Sequence, residues 1–286
     1  MTGMLYLVAT PIGNLKDISP RALQVLGEVD MVAAEDTRRT GSLLKAHGIT
    51  KPLISCYAHN EERQTQAISR LLNEGKSVAL VSDAGMPGIS DPGARVVRMA
   101  VREGIELTVI PGPSAAITAL AASGFDYEGF AFGGFFPRQS KEKKQWLAKY
   151  GSFDGALVFF ESPKRLLSTL ELIKEVLGDR DCCVARELTK RFEEFIRGSV
   201  AEVIEALAKK RDVKGEIVVV LDTGKASDKS RPVGNRSLGS LSSEAVAEIC
   251  SLLLDSGLGK KEASRRLAGI TGISPNECYK MMTSDR

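Results

Sequence analysis

The stretch that most constrains this chain is residues 81–93, VSDAGMPGISDPG. It follows an apolar run, 77–81, whose β-branched residues suit a strand buried in a parallel sheet. Asp91 and Pro92 read as the N-cap and first residue of a helix over 92–103. Between strand and helix lie Gly85, Gly88 and Gly93, with Pro87 and Pro92 to stiffen the path. A plain strand-to-helix turn needs only a few residues. A long one rich in glycine lets bare backbone come close to a ligand. In open α/β sheets such loops stand at the carboxyl ends of the strands, where ligands bind.

The rest of the chain alternates strand and helix around that loop. Strands are expected over 5–9, 30–34, 52–57 and 107–110, with helices over 19–26 and 61–73. Residues 10–13, Thr-Pro-Ile-Gly, form a rigid turn, and 35–40 pack charge at the end of the second strand. The turn 111–115 opens onto an Ala-rich helix that reaches Ser123. A hinge over 124–129 leads to a second half. Its strands are expected over 130–132, 156–160, 183–186, 195–199 and 216–221, and its helices over 141–149, 163–177 and 200–209. Residues 224–240, rich in Gly, Ser and positive charge, read as a linker. The remainder reads as helical, in pieces near 243–256, 260–268 and 275–283. The expected architecture is therefore α/β. An N-terminal α/β domain (1–123) and a second α/β domain (124–223) face each other across a ligand cleft. A linker (224–240) and a small C-terminal helical extension (241–286) follow.

Composition narrows the chemistry. No apolar run reaches the length of a membrane helix, and the short apolar start lacks the basic flank of a signal peptide. The five cysteines, Cys56, Cys182, Cys183, Cys250 and Cys278, show no CxxC spacing, which suits a reduced cytoplasmic protein without a metal site. There is no G-x-x-x-x-G-K-[ST], no G-x-G-x-x-G after the first strand and no G-x-S-x-G elbow. What remains is a set of Gly/Pro loops, Ser114-Ala115 and acids such as Asp83, a combination suited to a compact, polar, partly cationic ligand. The net charge of +3 resides wholly in 113–240, with 21 basic against 18 acidic residues. Its densest part holds Arg138, Lys141, Lys143, Lys144 and Lys149 around Trp146, against Glu142 alone. That is a pattern for RNA phosphates with an aromatic for stacking. The competing reading is a solvated helix whose Trp146 packs inward.

Eight segments, in order along the chain, resemble motifs of one family. They are 10–14 (TPIGN), 35–38 (EDTR), 82–93 (SDAGMPGISDPG), 111–115 (PGPSA), 133–137 (GGFFP), 159–163 (FFESP), 185–190 (ARELTK) and 215–217 (GEI). The chain is similar to the tetrapyrrole-methylase-like, class III S-adenosylmethionine-dependent methyltransferases, and most of all to their ribosomal-RNA-modifying branch. That resemblance implies S-adenosylmethionine folded between the two domains and a homodimer. It also implies methyl transfer to the ribose 2′-hydroxyl of a cytidine in the decoding centre of the small ribosomal subunit. Carried over by motif, the implied cofactor contacts are Pro11, Ile12 and Gly13; Asp83, Ala84, Gly85, Pro87, Gly88, Ser90 and Asp91; Ser114 and Ala115; Phe160 and Glu161; and Glu216 and Ile217. Asp83 is the expected polar contact.

A sulfonium is already an activated methyl donor, so alignment of the nucleophile is the main task. A ribose hydroxyl gains from a base or a nearby cation. Asp36, Glu187 and Lys190 occupy charged motifs at strand ends and are the candidates for that role. For each, a structural ion pair is the competing reading. Two rival functions stand beside this one: methylation of a small tetrapyrrole, and a non-catalytic ribosome-binding factor.

Overall fold

Short, β-branched strands build the first sheet. They are Leu5–Val8 (β1), Met31–Ala34 (β2), Leu53–Ser55 (β3), Val78–Val81 (β4) and Leu107–Ile110 (β5), all parallel, in the order β3-β2-β4-β1-β5. In this computed structural model the described residues are 3–210, 212–224, 249, 253, 258–271, 274, 278–280 and 283. Five helices cross between the strands: Pro20–Glu28 (α1), Thr37–Ala46 (α2), Glu61–Asn73 (α3), Ala94–Glu103 (α4) and Ala115–Ala121 (α5). Val8, Val32, Ala34 and Val81 pack with Ala22, Leu26 and Leu44 of α1 and α2. Leu5, Leu7, Ala33 and Leu80 pack with Ile68, Leu72, Val96 and Ala100 of α3 and α4. Strands β1 and β4 are neighbours, yet they feed helices on opposite faces. Their carboxyl ends therefore diverge and open a crevice.

The second sheet is mixed. It contains Phe130–Phe135 (β6), Ala156–Glu161 (β7), Asp181–Arg186 (β8), Glu194–Ser199 (β9) and Ile217–Asp222 (β10), in the order β6-β7-β10-β8-β9. Only β6 and β7 run parallel. Helices Ser140–Tyr150 (α6), Pro163–Leu177 (α7) and Val200–Ala208 (α8) cover one face through Leu147, Leu166, Leu170 and Val203. The other face, with Val158, Cys183, Ala185, Val218 and Val220, is covered by Ala116, Ala119 and Leu120 of α5. Alternate residues of β10 thus enter two different cores, as the period-two pleat requires. Arg197 clasps the join between the halves by donating to the carbonyls of Ala122 and Ser123.

Both sheets lie in one compact unit, 1–224; residues 225–286 form a second. In the second, Lys260–Thr271 (α9) buries Ala263 and Leu267 together with Cys278. The linker 224–240, beyond Gly224, and most of the pieces expected near 243–256 and 275–283 lie outside the described residues. Among the described residues no helix is long and apolar enough to cross a membrane.

Two helix starts differ from the sequence reading. Helix α2 follows Asp36, whose side chain accepts from the amide of Arg38, where the charged run suggested a loop. Its first turns are polar, so no apolar periodicity announced it. Helix α4 begins at Ala94, and neither Asp91 nor Pro92 starts it. Its cap comes from another helix: Glu61 Oε1 accepts from the amides of Gly93 and Arg95 at 2.9 and 3.0 Å. A carboxylate satisfies free N–H groups at a helix start and complements its dipole.

Candidate active site

The turn after β1 and the loop after β4 are stitched together. Thr10 and Gly85 exchange backbone hydrogen bonds of 2.9 and 3.0 Å, and Thr10 Oγ1 donates to the Ser82 carbonyl. A cleft of about 300 Å³ opens beside them, walled by Pro11, Asp83 and the α2 residues Arg39 and Thr40. All of its walls belong to the first half of the chain.

Carboxylates crowd this edge of the sheet. Asp83 Oδ1 accepts from the Asp36 amide at 3.0 Å, its Oδ2 pairs with Arg39 at 3.2 Å, and its own amide donates to Glu35 Oε2. Burial pushes the Glu35 carboxyl up, and the neighbouring Asp83 charge adds to the rise. Burial also pushes Asp91 up to about 6, helped by the charges of Glu35 and Asp83. Among the described residues only the largely exposed Arg39 forms an ion pair with any of the three. The edge is short of positive charge.

The second half reaches this edge through its 187–190 loop. The Asn14 amide donates to Thr189 Oγ1 at 3.0 Å. A Cβ at Gly13 would stand 2.6 Å from Lys190 Cγ and 2.8 Å from the Leu188 carbonyl oxygen, so glycine is required by close approach. Glu187 and Thr189 hold left-handed backbone, with φ of 52° and 62°. Such non-glycine conformations need the surrounding structure to hold them. Glu187 Oε1 accepts from Lys190 Nζ and from the Glu216 amide, both at 2.9 Å, and Lys190 also reaches Glu216 Oε2 at 3.0 Å. The Lys190 hydrogen bond is the main cause that holds Glu187 below its ordinary range. Partial burial of Lys190 acts downward, but its bonds to the two carboxylates outweigh that and hold the ammonium above its usual range.

A third contact closes the rim. The β6 strand carries a bulge between Phe132 and Phe135, and a Cβ at Gly134 would lie 3.4 Å from Ser90 Oγ. Ser90 itself has φ of 63°. The glycine loops of the two halves therefore meet.

The family model described as Tetrapyrrole (Corrin/Porphyrin) Methylases matches residues 4–204. The chain belongs to that family. It is 52% identical over 219 residues to Ribosomal RNA small subunit methyltransferase I of Thermotoga maritima, covering 77% of this chain and 98% of that one. It is 42% identical over 277 residues to the protein of the same name from Halalkalibacterium halodurans, covering 97% and 93%. A crystal structure of uroporphyrin-III C-methyltransferase from Thermus thermophilus, complexed with S-adenyl homocysteine, shares the fold. Its TM-score is 0.54 at 16% identity, covering 77% of this chain and 98% of that one.

Of the motif residues, Gly13 meets Lys190 and Ser90 meets Gly134 where the two halves join, whereas the partners of Asp83 all lie in the first half. Ile12, Ala115 and Phe160 share one apolar cluster with Leu188 and Val218. Pro87 is buried and Ala84 exposed, while Gly88 holds left-handed backbone with φ of 82°. Ile217 is buried at the start of β10 and Glu216 points outward to Lys190.

Three expectations change. Glu161 is buried in an ion pair with Arg165 at 2.5 Å and accepts from Thr169 at 2.7 Å, so its carboxylate is committed within its own half. Arg165 in turn donates to the carbonyls of Phe136 and Pro137, pinning the 133–137 loop. Trp146 is a core residue: it is 8% exposed, packs on Phe136, Tyr150 and Phe159, and donates to the Gly133 carbonyl. It is not available for stacking on a base. Asp36 caps α2 and binds Arg38 at 2.9 Å, and those bonds pull it down to about 2, which makes it a poor base. Arg138, Lys141, Lys144 and Lys149 are exposed and Lys143 half-buried. Glu35 and Arg39, left unassigned from sequence, gain their place only because β2 lies beside β4.

Proposed function

We propose that this chain is an S-adenosylmethionine-dependent methyltransferase of small-subunit ribosomal RNA, acting on a cytidine ribose 2′-hydroxyl of the assembled subunit. The observation that carries the reading is its identity to proteins of that printed name along nearly its whole length. The two α/β halves, 1–123 and 124–223, would bind the cofactor between them.

The residues present fit that cofactor. A carboxylate edge with too little positive charge, at Glu35, Asp83 and Asp91, favours a ligand bearing a sulfonium and an ammonium. S-adenosylmethionine, when bound, supplies an activated methyl group. The chain's own part is to orient and to handle charge. Pro11–Gly13 and Ser114-Ala115 present rigid backbone, and the Asp83–Asp91 loop supplies the acids. Glu187 and Glu216 hold Lys190 as an ammonium beside Gly13. A fixed cation there favours the negative charge that a hydroxyl develops as it attacks. Neither Glu187, held low, nor Asp36 suits the role of base; Lys190 suits that of electrostatic partner. The exposed cations of 138–149 provide phosphate contacts.

Transfer of tritiated methyl groups from S-adenosylmethionine tests the proposal. Purified protein is given small subunits from a strain lacking it, naked ribosomal RNA, and a tetrapyrrole precursor. Label in a 2′-O-methylcytidine of the subunit is the expected result. Label in the tetrapyrrole, or none anywhere, would overturn it. The homodimer and the cytoplasmic setting rest on the resemblance and on the substrate, and light scattering of the purified protein checks the former.

A further inference from the structure

Helix α4 carries Arg95, Arg98 and Arg102 at the i, i+3, i+7 spacing that places side chains on one helix face. All three are exposed and line a groove of about 400 Å³ whose other wall is Glu62, Thr65 and Gln66 of α3. Arg95 pairs at long range with Glu61 and Glu62, at 3.8 and 3.7 Å. The side chains of Arg98 and Arg102 make no hydrogen bond or ion pair with the described residues. The Thr65 hydroxyl donates to the Glu61 carbonyl and Glu62 lies toward Arg95, so the Arg98 and Arg102 guanidiniums, beside the Gln66 amide, are the groups left to meet oxygen anions in series. The stripe is about 10 Å long at 1.5 Å per residue, which spans more than one backbone phosphate.

Its position matters more than its charge. The loop that leads into α4 carries Ser90, and the bulge near the end of β6, the strand that leads to α6, carries Gly134; these two residues meet. The Arg-bearing helix and the Lys-bearing helix therefore both depart from the rim where the two halves close. We infer that Arg98 and Arg102 of the α3–α4 groove bind the RNA phosphate backbone next to the target nucleotide, on the opposite lip from Lys141 and Lys144. This inference rests on the proposed RNA substrate.

The test is the double variant R98E/R102E in the full chain, with R98Q/R102Q as the milder partner. Binding of small subunits and of naked ribosomal RNA is measured against salt, apart from methylation. The expected result is roughly tenfold weaker subunit binding for the charge reversal. The slope of log K against log salt should flatten by about 1.4–1.8 for two lost phosphate contacts. S-adenosylmethionine affinity and the melting temperature should stay unchanged. Variants that bind and methylate like the parent would overturn the inference while leaving the proposed activity in place. If the parent binds RNA, loses that binding in the variants, and yet methylates nothing, the surface stands and the proposed activity falls. A parent that neither binds RNA nor labels it removes both.

Discussion

The amide of Asn14 donates to the hydroxyl of Thr189 at 3.0 Å, joining residues 175 positions apart. One partner ends the first turn of the chain; the other sits in a left-handed loop of the second sheet. Through this bond and the Gly13–Lys190 approach, the charge network of Glu187, Lys190 and Glu216 is set beside the glycine loops.

Glu187→Gln keeps an oxygen to accept from the Glu216 amide but removes the charge facing Lys190. Methyl transfer should slow by up to roughly a hundredfold, as when a charge-stabilising group such as Lys190 is displaced by about an ångström. Cofactor affinity should hold. The alkaline limb of the rate profile should move to lower pH, because Lys190 loses a partner that keeps it protonated. A rate and profile like the parent's would leave Glu187 as a brace only.

Asp91 binds its proton more tightly in the fold, at about 6, than its ordinary value of 3.8 allows. Its contribution therefore favours the fold at low pH and is lost as pH rises from the lower value to the higher. Asp91→Asn should raise the urea midpoint above pH 6, with the gain vanishing toward pH 4. Cofactor affinity of the parent, by calorimetry, should fall as pH drops through 6, since the proton competes with the cationic ligand. The Asn variant should bind more weakly and lose that dependence.

Gly13→Ala sets a methyl group 2.6 Å from Lys190 Cγ, 2.7 Å from Thr189 Oγ1 and 2.8 Å from a backbone carbonyl. The lysine stem can move, but the carbonyl cannot move alone. We expect a loss of about 1–3 kcal/mol, as for overpacking, seen as a lower melting temperature. Activity should fall with it, because the same shift displaces Lys190.

Trp146→Ala should cost about 3–5 kcal/mol as a cavity in the second core, measured by denaturant unfolding. Trp146→Phe should keep most of that stability while losing the bond to Gly133. RNA affinity per folded molecule should be unchanged in the Phe variant. A specific loss of RNA binding with normal stability would return Trp146 to the surface.

The regular elements were legible wherever a signal is local. Helices over 61–73 and 163–177 match α3 and α7 residue for residue, because apolar periodicity lies within each segment and a proline opens the second. Most strands differ by a residue or two at their ends; the strand expected over 130–132 runs on through a bulge to Phe135. Helix α2 was hidden because its opening turns, Thr37 to Ser42, offer nothing apolar to count. The eight motifs placed the chain in its family, which the comparisons bear out.

What the sequence alone determined, then, is the alternation of strands and helices, the glycine loops and the family. Each depends on residues a few positions apart. What only the tertiary structure decided is whom each polar group meets. Glu61 caps α4 from another helix, Glu161 spends its charge on Arg165, Trp146 turns inward, and Glu35 joins Asp83. Those partnerships depend on strands and helices that are distant in sequence packing side by side, and on the burial that packing creates. Burial sets the cost of a charge, so a carboxylate's role is fixed only once its neighbours are in place.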